Sequence, residues 1–139
     1  MIEPERQERL IAEATRSRGN AVAGRSGFSV GAAIEAEDGR IFGGCNIENS
    51  TYGLTVCAER VAIWKALSEG VRRFRAVAVV TGADAPTPPC GACRQILWEF
   101  AGDVPVVSAT ESGETRHYRM SELLPEPFDL SQLGEGNRK

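Results

Sequence analysis

With 139 residues and a formal net charge of −3, the chain has the length of one domain with a proper core, and its acidic balance argues against a nucleic-acid partner, which needs a concentrated basic face. The opening Met1-Ile2-Glu3-Pro4-Glu5-Arg6 is polar and acidic, unlike a signal peptide, and no apolar run approaches membrane length, so a cytoplasmic protein with no membrane partner is expected. Four cysteines could form two disulfides, but nothing points to export and a reducing compartment disfavours them.

In chain order, residues 5–20 are rich in helix formers with Leu10, Ile11 and Ala14 at helical spacing, which predicts a covering helix closed by Gly19-Asn20. Residues 28–36 and 40–47 read as a hairpin around Asp38-Gly39, with Gly43 and Gly44 marking a bulge or a close backbone approach. A helix is predicted over 57–69, with Thr55 as N-cap and Gly70 as its stop. Residues 74–80 form a nearly unbroken apolar run, as for a strand covered on both faces. The proline-rich loop 81–88 leads to a second helix that ends before Gly102, followed by a strand at 104–109, a turn at Ser112-Gly113 and an edge strand at 115–119. The expected fold class is α/β, a three-layer α-β-α sandwich around a mixed five-stranded sheet. Residues 1–133 are expected to form a single domain and 134–139 a disordered tail.

Two motifs carry the chemistry: Thr55-Val56-Cys57-Ala58-Glu59-Arg60 and Pro89-Cys90-Gly91-Ala92-Cys93-Arg94-Gln95. Cys57, Cys90 and Cys93 offer three thiolates and Glu59 a carboxylate, the makings of a zinc site that keeps a position open, as catalytic zinc does. Glu59 shares a helix face with Ala62, Ile63 and Ala66, so the acid lies on the apolar side, where burial raises its pKa and suits it to proton transfer. Cys90 and Cys93, one helical turn apart, begin a stripe continued by Ile96, Leu97 and Phe100, which predicts both thiols pointing into the protein. Each motif falls at a predicted helix N-terminus, where the dipole favours thiolate. A Cys-x-x-Cys alone would equally fit a redox pair; the third cysteine beside a glutamate favours the metal. Cys45 is left as a buried strand thiol. His117, the sole histidine, reads as structural and excludes a two-histidine site.

These motifs match the zinc-dependent deaminase signature. Together with Phe28-Ser29-Val30-Gly31-Ala32-Ala33, Asn46-Ile47-Glu48-Asn49, Tyr52-Gly53-Leu54, Leu123-Leu124-Pro125 and Phe128, they make residues 10–133 resemble the small, homotetrameric cytidine deaminases. The resemblance implies hydrolytic deamination of cytidine and deoxycytidine in pyrimidine salvage, with zinc held by the three cysteines. Glu59 would pass the water proton to ring N3 and a second proton to the leaving amino group. It further implies substrate contacts from Phe28, Asn46, Glu48, Tyr52, Ala58 and Phe128, the last from a neighbouring subunit of a tetramer with shared sites. Arg60 would bond the ligand sulfurs and offset their charge, with Arg94 a weaker candidate, and Gln95 would lie near the site. Asn46 and Glu48, two residues apart on an extended segment, face the same way, as a ribose grip or a loop-capping pair would. In one place the chain departs from the family pattern: Gly24-Arg25 stand where Pro-Tyr is usual, which would loosen or recharge the pocket rim. A deaminase of an antibiotic cytosine nucleoside of the blasticidin S type, and a nonenzymatic zinc-stabilised interaction module using Cys45 as fourth ligand, are the alternatives.

Overall fold

In the computed structural model, which describes residues 1–133, every predicted element is present in the predicted order; the expected tail at 134–139 lies outside the described residues. Pro4 opens α1 (Pro4–Arg18), with Glu5 in its first turn and Arg16 and Arg18 in its last, each charge complementing the helix dipole. The hairpin follows as β1 (Val30–Ala36) and β2 (Ile41–Cys45), turning at Gly39 with φ +94°. Next come α2 (Ala58–Ser68), β3 (Phe74–Thr81), α3 (Gly91–Ala101), β4 (Pro105–Thr110) and β5 (Thr115–Arg119). Three short elements have no counterpart among those predicted: 3-10 turns at Tyr52–Leu54 and Leu130–Leu133, and α4 (Met120–Leu123). Each is a single turn or little more, too brief to leave a periodic signal.

The sheet order is β2-β1-β3-β4-β5. β1 runs antiparallel to both neighbours, β3 and β4 are parallel, and β5 closes the edge antiparallel to β4. Alternation along β3 divides the core: Val77 and Val79 join Ile34, Ile63, Leu97 and Val106 on the side of α2 and α3, while Ala76, Ala78 and Val80 join Leu10, Ala14 and Val107 beneath α1. This is the doubly covered sheet expected of its unbroken apolar run.

Gly43 and Gly44 sit in an unbroken register opposite Ala33 and Ala32, so they form no bulge. They serve close approach instead. A Cβ on Gly44 would lie 2.5 Å from the Ala62 nitrogen and 2.6 Å from the Ala58 oxygen, so the absent side chain is what seats α2 against β2. Gly31 does the same for α1, where a Cβ would fall 1.9 Å from the Ala14 oxygen. On the α1 side, Glu35 is buried (1% exposed) between Arg6, at 2.6 Å, and Arg75, at 2.9 Å. Burial raises its pKa, but hydrogen bonds from the two guanidinium groups outweigh that and hold it below the ordinary carboxylate range. His117 bonds Gln7 of α1 at 2.8 Å, in keeping with a structural part. Because β2 and β3 point the same way, the chain leaves both at one end of the strands, and it enters β1 at that end too.

Candidate active site

Beyond that end of the sheet Cys57 and Cys90 are the N-cap residues of α2 and α3. Thr55 is therefore not the cap of α2. Mutual backbone bonds between Ile47 and Val56, at 2.9 and 3.0 Å, keep the chain extended through Val56, so helical geometry begins only after Cys57. Thr55 lines the cavity instead. The sulfur atoms of Cys57, Cys90 and Cys93 all lie within 4.8 Å of one another, with Cys57 and Cys90 3.9 Å apart and all three free of disulfides. Cys93 is buried, whereas Cys90 is exposed, contrary to the expectation that both thiols point inward. The reason is local: as the extended residue before α3, Cys90 stands outside the helical phase that buries Cys93 and Leu97. The stripe also ends early, with Phe100 38% exposed.

The electrostatics suit a cation. A hydrogen bond from the Cys93 thiol and the nearby Arg60 guanidinium, acting against burial, pull Cys57 down to about 5; the same bond, burial and the neighbouring negative charges push the Cys93 thiol up. Three thiolates this close need a positive ion to coexist, and soft sulfur donors with an open side fit catalytic zinc. Cys45 is not part of the group, so no fourth sulfur closes the site. Arg60 donates to the Cys57 sulfur at 3.3 Å, with its guanidinium 6.0 Å from the Trp64 ring centre. Arg94 turns away from the sulfurs. It donates to the carbonyls of Pro89 (2.7 Å) and Leu123 (2.9 Å), pinning the loop before Cys90 to α4.

Glu59 is 5% exposed, on the same α2 face as buried Ala62, Ile63 and Ala66. Burial, reinforced by the Cys57 charge, pushes its pKa up to about 7. It opens with Cys57, Ala58 and Cys90 onto a cavity of about 270 Å³. Phe28, Asn46 and Glu48 line the same cavity. Asn46 accepts from the Val30 N–H at 2.9 Å and donates to the Phe28 carbonyl at 2.8 Å. Glu48 accepts from the Ser26 hydroxyl and from the N–H groups of Ser26 and Arg25, which hold its carboxyl below the ordinary range. Asn46 thus pins the entry to β1 and Glu48 caps the turn before it while both line the cavity, and alternation leaves Ile47 between them facing outward.

Other sequence candidates stand outside these walls. Tyr52 is 72% exposed with the Arg25 guanidinium 5.4 Å from its ring centre, and Phe128 is 55% exposed, with its carbonyl bonded to Gln95 at 2.6 Å. Arg25 also donates to Ser50 at 2.9 Å, so where Pro-Tyr is usual this arginine ties two loops together. Ser26, Thr81, Thr87 and Pro88 line the cavity without having been singled out by any motif. Thr81, a single polar residue at the C-terminal end of the apolar run of β3, was the one available signal.

A mixed sheet that carries three clustered thiols at the wall of a cavity lined also by a buried acid defines a protein of the metal-dependent hydrolytic class. Residues 4–109 match the family model described as the cytidine and deoxycytidylate deaminase zinc-binding region. The cytidine deaminase of Sporosarcina psychrophila is 49% identical over 132 residues, covering 92% of this chain and 97% of that protein. The crystal structure of cytidine deaminase from Burkholderia pseudomallei superposes with a TM-score of 0.84 at 44% identity, covering 87% of this chain and 98% of that one. Blasticidin-S deaminase of Bacillus cereus is a more distant relative, 32% identical with 69% of this chain covered. The chain belongs to the cytidine and deoxycytidylate deaminase family.

Proposed function

We propose that the protein hydrolyses cytidine and deoxycytidine to the corresponding uridines and ammonia, with Cys57, Cys90 and Cys93 holding zinc. The observation that carries this reading is that Cys57 and Cys90, whose sulfurs cluster with that of buried Cys93, line one cavity together with the buried Glu59 and the Asn46–Glu48 pair. When bound, the metal supplies the Lewis acidity that makes water a nucleophile near neutral pH. Glu59, with its pKa raised to about 7, takes the proton of the attacking water, delivers it to ring N3 and carries the next to the departing amino group. Its position two residues after Cys57, on a helix seated by Gly44, holds the carboxyl beside the sulfur cluster. Phe28 packs along the base, with Ala58 beside it, and Asn46 and Glu48 receive the sugar hydroxyls. Arg60 spreads positive charge toward the Cys57 sulfur, which otherwise weakens the acidity of the centre.

The single domain of residues 1–133 acts as one subunit of a homotetramer with shared sites, to which Phe128 and Tyr52 contribute from their exposed positions, with Gln95 bracing Phe128. Salvage of pyrimidines in the cytoplasm is the setting; among the described residues no helix is long and apolar enough to cross a membrane. Ammonia release by the zinc-loaded protein, offered cytidine, deoxycytidine, free cytosine and blasticidin S in parallel, tests the reading. Turnover of the two plain nucleosides is expected, with a loss of about a hundredfold to ten-thousandfold in Glu59→Ala at unchanged zinc content. Full activity in that variant, or turnover of blasticidin S alone, would refute it.

A further inference from the structure

The turn of residues 23–27 is built around the Glu48 carboxylate. One carboxylate oxygen accepts the N–H groups of Arg25 and Ser26, each at 3.0 Å, and the other accepts the Ser26 hydroxyl. A carboxylate accommodates about four such bonds, so the turn fills all but one and fixes the direction in which the remaining lone pair looks. The Ser26 oxygen also accepts the Phe28 N–H at 3.0 Å, which couples the carboxylate to the aromatic wall of the same cavity. Behind the turn, Gly27 adopts φ +71° and donates to the Ala23 carbonyl at 2.8 Å, a conformation that favours glycine. Arg25 closes the assembly from outside through the Ser50 hydroxyl and the Tyr52 ring.

We infer that Ser26 is a positioning residue that sets the orientation of Glu48 for one sugar hydroxyl, and that Arg25 latches this turn to the segment 50–52. Neither side chain has a part in the proton transfers, and both act on the sugar end of the substrate through Glu48. The inference rests on the nucleoside reading above and assigns the turn, rather than Glu48 alone, as what decides between sugars. A carboxylate without the Ser26 hydroxyl keeps its charge but swings about the two N–H contacts, so the hydroxyl bond weakens while the base stays seated.

The experiment is a substrate cycle on the zinc-loaded protein. Ser26→Ala is compared with the parent on cytidine and on dideoxycytidine, which lacks both ring hydroxyls other than the terminal one. The KM for cytidine is expected to rise about fivefold to tenfold, the share of a charged hydrogen bond that orientation controls, with kcat little changed. The KM for dideoxycytidine is expected to stay as it was, and Ser26→Thr to restore the parent behaviour. Arg25→Ala should move the cytidine KM in the same direction by a smaller factor. Calorimetric binding of both nucleosides in a Glu59→Gln background repeats the comparison without turnover. Absence of deamination by the parent protein would then count against the proposed activity alone, since binding still reports on Ser26. An unchanged cytidine affinity in Ser26→Ala, or equal losses on both sugars, would overturn the inference.

Discussion

Cys57 and Glu59 stand two residues apart, yet one caps a helix with its sulfur in the cleft and the other lies buried on that helix's inner face. The backbone conformation changes between them, from extended at Cys57 to helical at Glu59, and that change separates a thiol in the cleft from a buried acid. Arg60, the next residue, tests how much the sulfur charge matters. Replacing it by Gln removes the 3.3 Å contact to Cys57 and should lower turnover about tenfold to a hundredfold at equal zinc content, measured by ammonia release alongside metal analysis. Glu35 carries the acid sensitivity of the fold. Its folded-state pKa is depressed, so the stability it contributes is fully present above the ordinary carboxylate pKa of 4.5 and is lost as pH falls through the folded value. Glu35→Gln should cost about 1–3 kcal/mol at neutral pH, and the gap to the parent should close in strong acid, as denaturant titrations at both ends would record. The motif spacing disclosed the cluster of three cysteines and the buried Glu59 beside it. Glu35 left no such trace, because its partners Arg6 and Arg75 come from distant parts of the chain and meet it only when α1 packs on the sheet.

α2 is held at its working position by a missing side chain. Gly44 brings β2 within van der Waals reach of the backbone of Ala58 and Ala62, so a methyl group there collides with main chain that cannot rotate away. Gly44→Ala should therefore cost about 3 kcal/mol and shift the helix that carries Cys57 and Glu59, and zinc content should fall together with the melting temperature. The glycine pair was visible in the sequence as punctuation within a strand, but whether it marked a bulge or a contact depended on what crossed it. The start of α2 differs from its expected position for a related reason. Thr55 has the chemistry of a cap, while the long-range bridge between Ile47 and Val56 keeps it extended. A local preference of about 1 kcal/mol yields readily to such pairing.

Ile47, Tyr52, Leu54, Trp64 and Phe128 are all substantially exposed in the single chain, more apolar surface on one small domain than scattered leucines explain. Sedimentation of the zinc-loaded protein should give a mass four times that of the chain, and Leu54→Glu should yield smaller species with reduced turnover. A parent protein that sediments as a fully active monomer would end the tetramer reading. The order of elements, the doubly covered β3, the cysteine cluster and the buried acid were determined by the sequence itself, since helical and strand periodicity and motif spacing are local properties that fold into place intact. Only the tertiary structure decided that Cys90 faces the cleft, that Ser26, Thr81 and Thr87 share a wall with Glu48, and that Arg94 pins a loop instead of a sulfur. The shared wall follows from sheet order. Placing β1 between β2 and β3 brings the entry to one strand beside the exits of two others, and no pattern within any one of these segments specifies its neighbours.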